Sequence, residues 1–209
     1  MTFLVRLALA CSLLVAPLAA READAGAPTD QLRSQVDRVL KLLEDPALQA
    51  PDKARERRVA VRKVADEIFD FGETARRALG RHWAARTPEE RDEFVRLFGD
   101  LLERSYISKI ELYGGEKIQY ISDRIDGETA LVQSKLLTKN GSEVPIEYRM
   151  LKKAERWLVY DVVIEGVSLV ANYRTQFNKI IQTSSFQELV KKLKTRQEQL
   201  GVSSAQRQG

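Results

Sequence analysis

Few side chains in this sequence have chemistry to offer, so their spacing is the first thing to test. Asp161 and Glu165 lie four residues apart in the segment Trp157–Phe177, WLVYDVVIEGVSLVANYRTQF. Positions i and i+4 of a strand share a face, so the two carboxyl groups could serve as acid and base. At strand rise their Cα atoms would stand roughly 13 Å apart, beyond the usual spacing of paired catalytic carboxylates. Structural duties fit better. Asp161 would bond an Arg or Tyr of a neighbouring strand, and Glu165 would tether the following turn or the helix N-terminus. His82 is the only histidine. Beside Trp83, in a helical connection, it reads as a surface or capping group. Cys11 is the only cysteine. With no second His or Cys, zinc is not expected, and neither is thiolate chemistry in a mature chain that has lost Cys11. There is no G-x-S-x-G elbow, P-loop or dinucleotide fingerprint. No catalytic residue, metal or cofactor is therefore expected.

The basic residues Arg55, Arg57, Arg58, Arg62 and Lys63 make a candidate patch for an anionic ligand. No phosphate-cradling glycine loop or stacking aromatics accompany them, so nucleic acid is not expected, and a solvated helix face is the plainer reading. The chain has 209 residues, 44% hydrophobic and 31% charged, which bounds it to one domain with a full core. Its net charge of +4 suits work near anionic phosphate groups, and equally a surface with a slight Lys/Arg excess.

The elements that must position these residues are legible from period and punctuation. Arg6 followed by an apolar run from Leu7 to Leu18 and then small residues reads as a secretory signal, cut near residue 20 or 25. The run is too short for a comfortable transmembrane helix. Residues 1–25 are thus expected to be a signal peptide, 26–201 a single α+β domain, and 202–209 a disordered tail. Thr29 or Asp30 would cap a first helix to about Glu44, and a second would run from Asp52 to Phe69, broken at Phe71-Gly72. A short helix would span Glu73–Leu79. Thr87-Pro88-Glu89-Glu90 is a capping box with proline at the first helical position, followed by the apolar face of Phe94, Leu97, Phe98, Leu101 and Leu102. The period then changes to two. Lys117–Ser122, Thr129–Thr138, the alternation Val144, Ile146, Tyr148, Met150, and Trp157–Glu165 read as four strands of an antiparallel meander, with hairpin turns at Asp126-Gly127 and Asn140-Gly141. Helices Ser168–Ile181 and Ser185–Leu200 close the chain, the second with a capping box at Ser185 and Glu188. Helices, meander, helices gives an α+β class: a curved four-stranded antiparallel meander with helices packed on it.

The fourth strand is apolar on both faces, where a half-solvated strand would show one polar face. Something apolar must lie on each side of it, and an internal lipid cavity on one side would meet that need. The segment YDVVIEGVSLVANYRTQF resembles the signature of the MlaC, or toluene-tolerance, family of periplasmic phospholipid-binding proteins. The match extends upstream to ALGRHWAARTPEERDEFVRLFGDLLERSYISKIELY, and the resemblance covers about Asp30 to Leu200. It implies a soluble, monomeric periplasmic shuttle, not an enzyme. Such a shuttle carries phospholipid between an outer-membrane lipoprotein complex and an inner-membrane ABC transporter complex, with lipid tails in a cavity between sheet and helices. The lining would come from Val132, Leu136, Val144, Ile146, Tyr148 and Met150 on the sheet. Leu97, Leu101, Tyr106, Val167, Val170, Tyr173 and Phe177 would supply the helical side. Each of these would serve equally as ordinary core. Two other classes stay open from sequence: an exported enzyme on a cone-shaped α+β fold using Tyr160, Asp161 or Glu165, and a periplasmic adaptor that binds only protein.

Overall fold

The structure is a computed structural model that describes residues 26–110 and 113–206. The expected signal segment 1–25, with Cys11, lies outside the described residues. Helix α1 (Ala27–Glu44) begins before the Thr29 or Asp30 cap expected from sequence. Its capping carboxylate comes from a strand far along the chain. Asp123 accepts from the Thr29 amide at 3.4 Å and from the Thr29 hydroxyl at 2.8 Å, and a negative group at a helix N-terminus is stabilising. The carboxylate lies so close that a Cβ on residue 26 would stand 2.7 Å from it, which accounts for Gly26. Asp45 caps α2 (Pro46–Gln49) through the Ala47 amide, where the sequence shows only a proline interruption.

Helix α3 (Ala54–Ile68) buries Val61, Val64 and Ile68. The break before α4 (Phe71–Leu79) falls at Phe69-Asp70, one dipeptide earlier than expected. The cause is tertiary: Phe69 forms a parallel bridge with Val159, and the Asp70 amide donates to the Val159 carbonyl at 2.9 Å. Asp70 then caps α4 by accepting from the Glu73 amide at 3.0 Å. Helix α5 (Pro88–Ile110) opens on the expected capping box. The Glu90 amide donates to Thr87 Oγ at 3.2 Å, and the Thr87 amide donates back to the Glu90 carboxylate at 3.1 Å.

The sheet is an antiparallel meander of β1 (Lys117–Asp126), β2 (Thr129–Leu137), β3 (Glu143–Lys153), β4 (Arg156–Ile164) and β5 (Val167–Ser168), paired in chain order. It has five strands where the sequence suggests four. The link after β4 is a hairpin, not a plain strand-to-helix joint. Glu165 and Gly166 both take positive φ, 50° and 80°, as the two central positions of a tight hairpin turn require. The chain therefore folds back for two residues along β4 before helix α6 (Leu169–Thr183) begins. Helix α7 (Phe186–Gln206) starts at Ser185, whose Oγ accepts from the Glu188 amide at 3.1 Å. It continues through Gly201 into the stretch expected as a tail. An interior glycine costs a helix only about 1 kcal/mol, and no proline follows to block the next turn. Residues 207–209 lie outside the described residues.

The buried side chains separate into two main clusters and a small third. One is purely helical: Phe94, Leu97, Phe98 and Leu101 of α5 pack with Ala75 and Ala78 of α4, Val170 and Phe177 of α6, and Phe186, Leu189 and Leu193 of α7. The other joins Leu32 of α1 and Val64 and Ile68 of α3 to Ala130, Val132, Met150, Trp157 and Val159 of the sheet. Leu43 and Val61 form the third, between α1 and α3.

Candidate functional site

Pairing register assigns each strand residue to a face. On the face that meets α1 and α3, side chains align in cross-strand rows. Proceeding from the β1–β2 turn, the rows are Ile125–Ala130–Met150–Val159, then Asp123–Val132–Tyr148–Val162, then Tyr120–Ser134–Ile146–Ile164, then Ile118–Leu136–Val144. Two bulges keep the rows in line. The register skips Ile121 in β1 and Tyr160 in β4, and each extra residue moves the following side chains to the other face.

On β2, β3 and β4 the first two rows are covered; on the edge strand β1 Ile125 stays exposed. Ala130, Val132, Met150 and Val159 are buried beneath α1 and α3, and Tyr148 and Val162 pack against the same cluster. In the last two rows Ser134 is buried and Tyr120 packs against that same cluster, but the aliphatic residues differ. Ile118, Leu136, Val144, Ile146 and Ile164 are half-buried, and among the described residues none of them joins a core cluster. This apolar band, neither solvated outright nor packed as core, is the candidate site.

On the helical side, Leu97, Leu101, Val170 and Phe177 belong to the helical cluster. Tyr173 packs on it edge-to-face with Phe98, ring centroids 5.0 Å apart, and lies 5.6 Å from Phe177. The Tyr106 hydroxyl bonds that of Tyr173, and burial first, then this neighbour, pushes the Tyr106 hydroxyl pKa up to about 12. Of the residues expected to line a cavity, the structure thus groups Val132, Tyr148 and Met150 under α1 and α3. It groups Leu97, Leu101, Tyr106, Val170, Tyr173 and Phe177 on the helical side, and leaves Leu136, Val144 and Ile146 on the uncovered rows. Val167 is apart from both groups, 58% exposed in β5.

Sequence reasoning passed over Ile118, Tyr120, Ser134 and Ile164 on this face. Ile164 could have been found only with the Tyr160 bulge in hand, since strict alternation from Val159 places it on the opposite face. Ser134 is a buried polar residue in an apolar row; it donates to the Ile146 carbonyl at 3.3 Å and bonds the Tyr148 hydroxyl. Burial raises the pKa of both Tyr148 and Tyr120, so both stay protonated donors at neutral pH.

Asp161 is the anchor of the α6 side. It is 4% exposed and takes three hydrogen bonds: from Arg149 at 3.1 Å, from the Ser168 hydroxyl at 2.7 Å and from the Val170 amide at 3.0 Å. The bond to Arg149 is the strand neighbour expected for it. The tether to the helix N-terminus, expected of Glu165, belongs to Asp161. Glu165 is exposed in the turn, where its positive φ turns it away. Ser168 in turn caps α6 by accepting from the Ala171 amide at 3.0 Å. His82 bonds Asn178 at 3.0 Å. Among the described residues, no group of three His, Cys, Asp or Glu side chains could hold a metal. A separate open cleft of about 500 Å³ lies outside α4 and α5, with Glu73, Arg76, Trp83, Arg91, Asp92 and Lys153 on its walls. Its charges are largely engaged locally, Glu73 with Arg76 and Arg91 with the Trp83 carbonyl, and none of the sheet rows reaches it.

The model of the MlaC protein family matches residues 33–195 of this sequence. The chain belongs to the MlaC family. It is similar to the intermembrane phospholipid transport system binding protein MlaC of Haemophilus influenzae, 27% identical over 123 residues. That alignment covers 56% of this chain and 57% of the relative, so the chain spans little more than half of that protein's length. It is also similar to a phospholipid-binding protein from Ralstonia solanacearum, whose structure was solved in complex with a phospholipid. That likeness has a TM-score of 0.71 at 29% identity and covers 82% of this chain and 97% of the other. Both relatives are named for binding, not for a reaction. The helix-and-meander architecture described above is therefore that of a phospholipid-bound relative.

Proposed function

We propose that this chain is a periplasmic phospholipid carrier of an intermembrane transport system. It holds acyl chains in an apolar cavity between the two uncovered rows of the sheet and the α5–α6 side of the helical layer. Exported by the segment 1–25, it works as a monomer between an inner-membrane ABC transporter complex and an outer-membrane lipoprotein complex. The observation that carries the reading is the band Ile118, Leu136, Val144, Ile146 and Ile164, apolar yet absorbed by neither core, in a chain whose fold matches a phospholipid-bound protein.

Energetics favour tails over headgroup as the part held. Moving an acyl chain out of a membrane exposes about 0.8 kcal/mol per CH₂, on the order of 10 kcal/mol for a whole chain. A few polar contacts cannot offset that; an apolar wall can. Leu136, Val144 and Ile146 would line the wall, with Val132, Tyr148 and Met150 beside them on the same sheet face. Leu97, Leu101, Tyr106, Val170, Tyr173 and Phe177 would face them, with Val167 at the rim.

Protein purified without detergent and extracted into organic solvent should release phospholipid, identified by mass spectrometry at a fixed ratio to protein. It should also move labelled phospholipid between vesicles. A preparation that carries no phospholipid and accepts none from vesicles would overturn the carrier reading.

A further inference from the structure

Resting on the carrier reading, we propose that the Tyr120 hydroxyl donates a hydrogen bond to an acyl ester carbonyl of the bound phospholipid. Three tyrosines stand on or beside the apolar walls. Tyr148 has Ser134 as its partner, and Tyr106 has Tyr173. The Tyr120 hydroxyl is buried and has no partner among the described residues. The three other buried polar atoms in that position belong to side chains with partners: Gln35 bonds the Glu67 carbonyl through its amide nitrogen, Asp70 is paired with Lys153, and Arg86 is paired with Glu90. For Tyr120 the unpaired atom is the side chain's whole polar function. A phenylalanine would fill the same space without that cost.

Placement gives the hydroxyl a use. Tyr120 stands on β1 in the row Tyr120–Ser134–Ile146–Ile164, the border between the covered and uncovered parts of the face. The Arg33 guanidinium stands over its ring, 5.0 Å from the ring centroid, and the ring packs against the cluster under α1 and α3. The acyl part of a diester phospholipid is hydrocarbon except at its ester carbonyls. Those are the acceptors it can offer a donor at the edge of an apolar wall.

The test compares a diester phospholipid, dipalmitoyl phosphatidylethanolamine, with its dihexadecyl ether analogue, which has the same headgroup and chains but no carbonyl. Affinity is read by competitive displacement of a fluorescent phospholipid. Wild type should prefer the diester by about tenfold, the worth of one well-made hydrogen bond at about 1.4 kcal/mol. Tyr120→Phe should bind the two equally, and its melting temperature without ligand should not fall. A wild type with no ester preference overturns the assignment, as does a Tyr120→Phe variant that keeps one. Tyr120→Leu, read in the same way, takes the place of Tyr120→Phe if that variant fails to fold. If wild type binds neither lipid, the carrier reading itself fails, an outcome separate from binding both equally.

Discussion

One sheet face carries two regions built from the same strands and the same kinds of residue. Near the β1–β2 turn, Ala130, Val132, Met150 and Val159 are sealed by α1 and α3. Toward the β2–β3 turn, Leu136, Val144 and Ile146 continue the same alternation on the same strands and are left half-buried. Nothing in side-chain type separates them; what differs is the cover. Helix α1 is pinned over the first region by the Asp123 carboxylate at its N-terminus. Helices α5, α6 and α7 spend their apolar faces on one another, around Phe94, Phe98, Phe177 and Phe186. A strand pattern therefore announces an apolar face, but only the helices' choice of partner decides whether that face becomes core or site.

The largest effect should come from placing the same charge in each region. Val159→Glu buries an unpaired carboxylate and should cost more than about 4 kcal/mol, unfolding the protein. Ile146→Glu should cost less than about 2 kcal/mol and yield folded protein depleted of phospholipid. Chemical denaturation and lipid extraction on both variants check this; equal unfolding would make the second region ordinary core.

Next in size is the anchor that holds α6 to β4. Asp161→Ala leaves Arg149, Ser168 and the Val170 amide without their shared acceptor and should cost about 3–5 kcal/mol. Hydrogen exchange at the Val170 amide should accelerate with it. Glu165→Ala, in the exposed turn, should stay within about 0.5 kcal/mol of wild type. Unfolding midpoints that rank the two the other way would assign the tether to Glu165 after all.

Truncation should sharpen the contrast more gently. Met150→Ala in the sealed region should lose about 2–5 kcal/mol to cavity formation. Val144→Ala in the uncovered region should lose about 1 kcal/mol or less, since its side chain is only half-buried and belongs to no sealed cluster. Matching losses would mean that the two regions are packed alike.

The smallest effect is a pH dependence on the helical side. Tyr106 titrates at about 12 in the folded protein against an ordinary 10.0. Its contribution is fully present below pH 10.0 and is lost as pH rises through about 12, because the unfolded chain gives up that proton first. Tyr106→Phe should flatten stability over that alkaline window, measured by urea midpoints across pH. An unchanged slope would show Tyr106 to be as free as a surface tyrosine.

Much of the architecture was legible because it is written locally. The Thr87–Glu90 capping box, the Asp126-Gly127 and Asn140-Gly141 turns and the alternation of β3 need only residues a few positions apart. The parts that escaped are those set by distant partners. Asp123 caps a helix that starts almost a hundred residues earlier. Val159 ends α3 by pairing with Phe69. The bulge at Tyr160 is visible only against β3, and it hands the tether to Asp161 and brings Ile164 onto the site face. Tyr120 escaped for a related reason: an aromatic on a strand looks apolar until its hydroxyl is found buried without a partner.

The skipped residue Ile121 has a second effect, on what the sheet can join. The far side of β4 is occupied at one end by Phe69 and Asp70 and at the other by β5, which leaves the outer rim of β1 as the place where another chain's strand could add. Ile121 and Ile125 stand there about half exposed, the kind of apolar edge that recruits strangers. The bulge kinks the strand at Ile121 and spoils the even ladder of donors and acceptors that a newcomer would need. Charged Asp123, Arg124 and Asp126 follow directly. An extra residue that serves the interior by aligning its rows thus also guards the rim against fibril-like stacking.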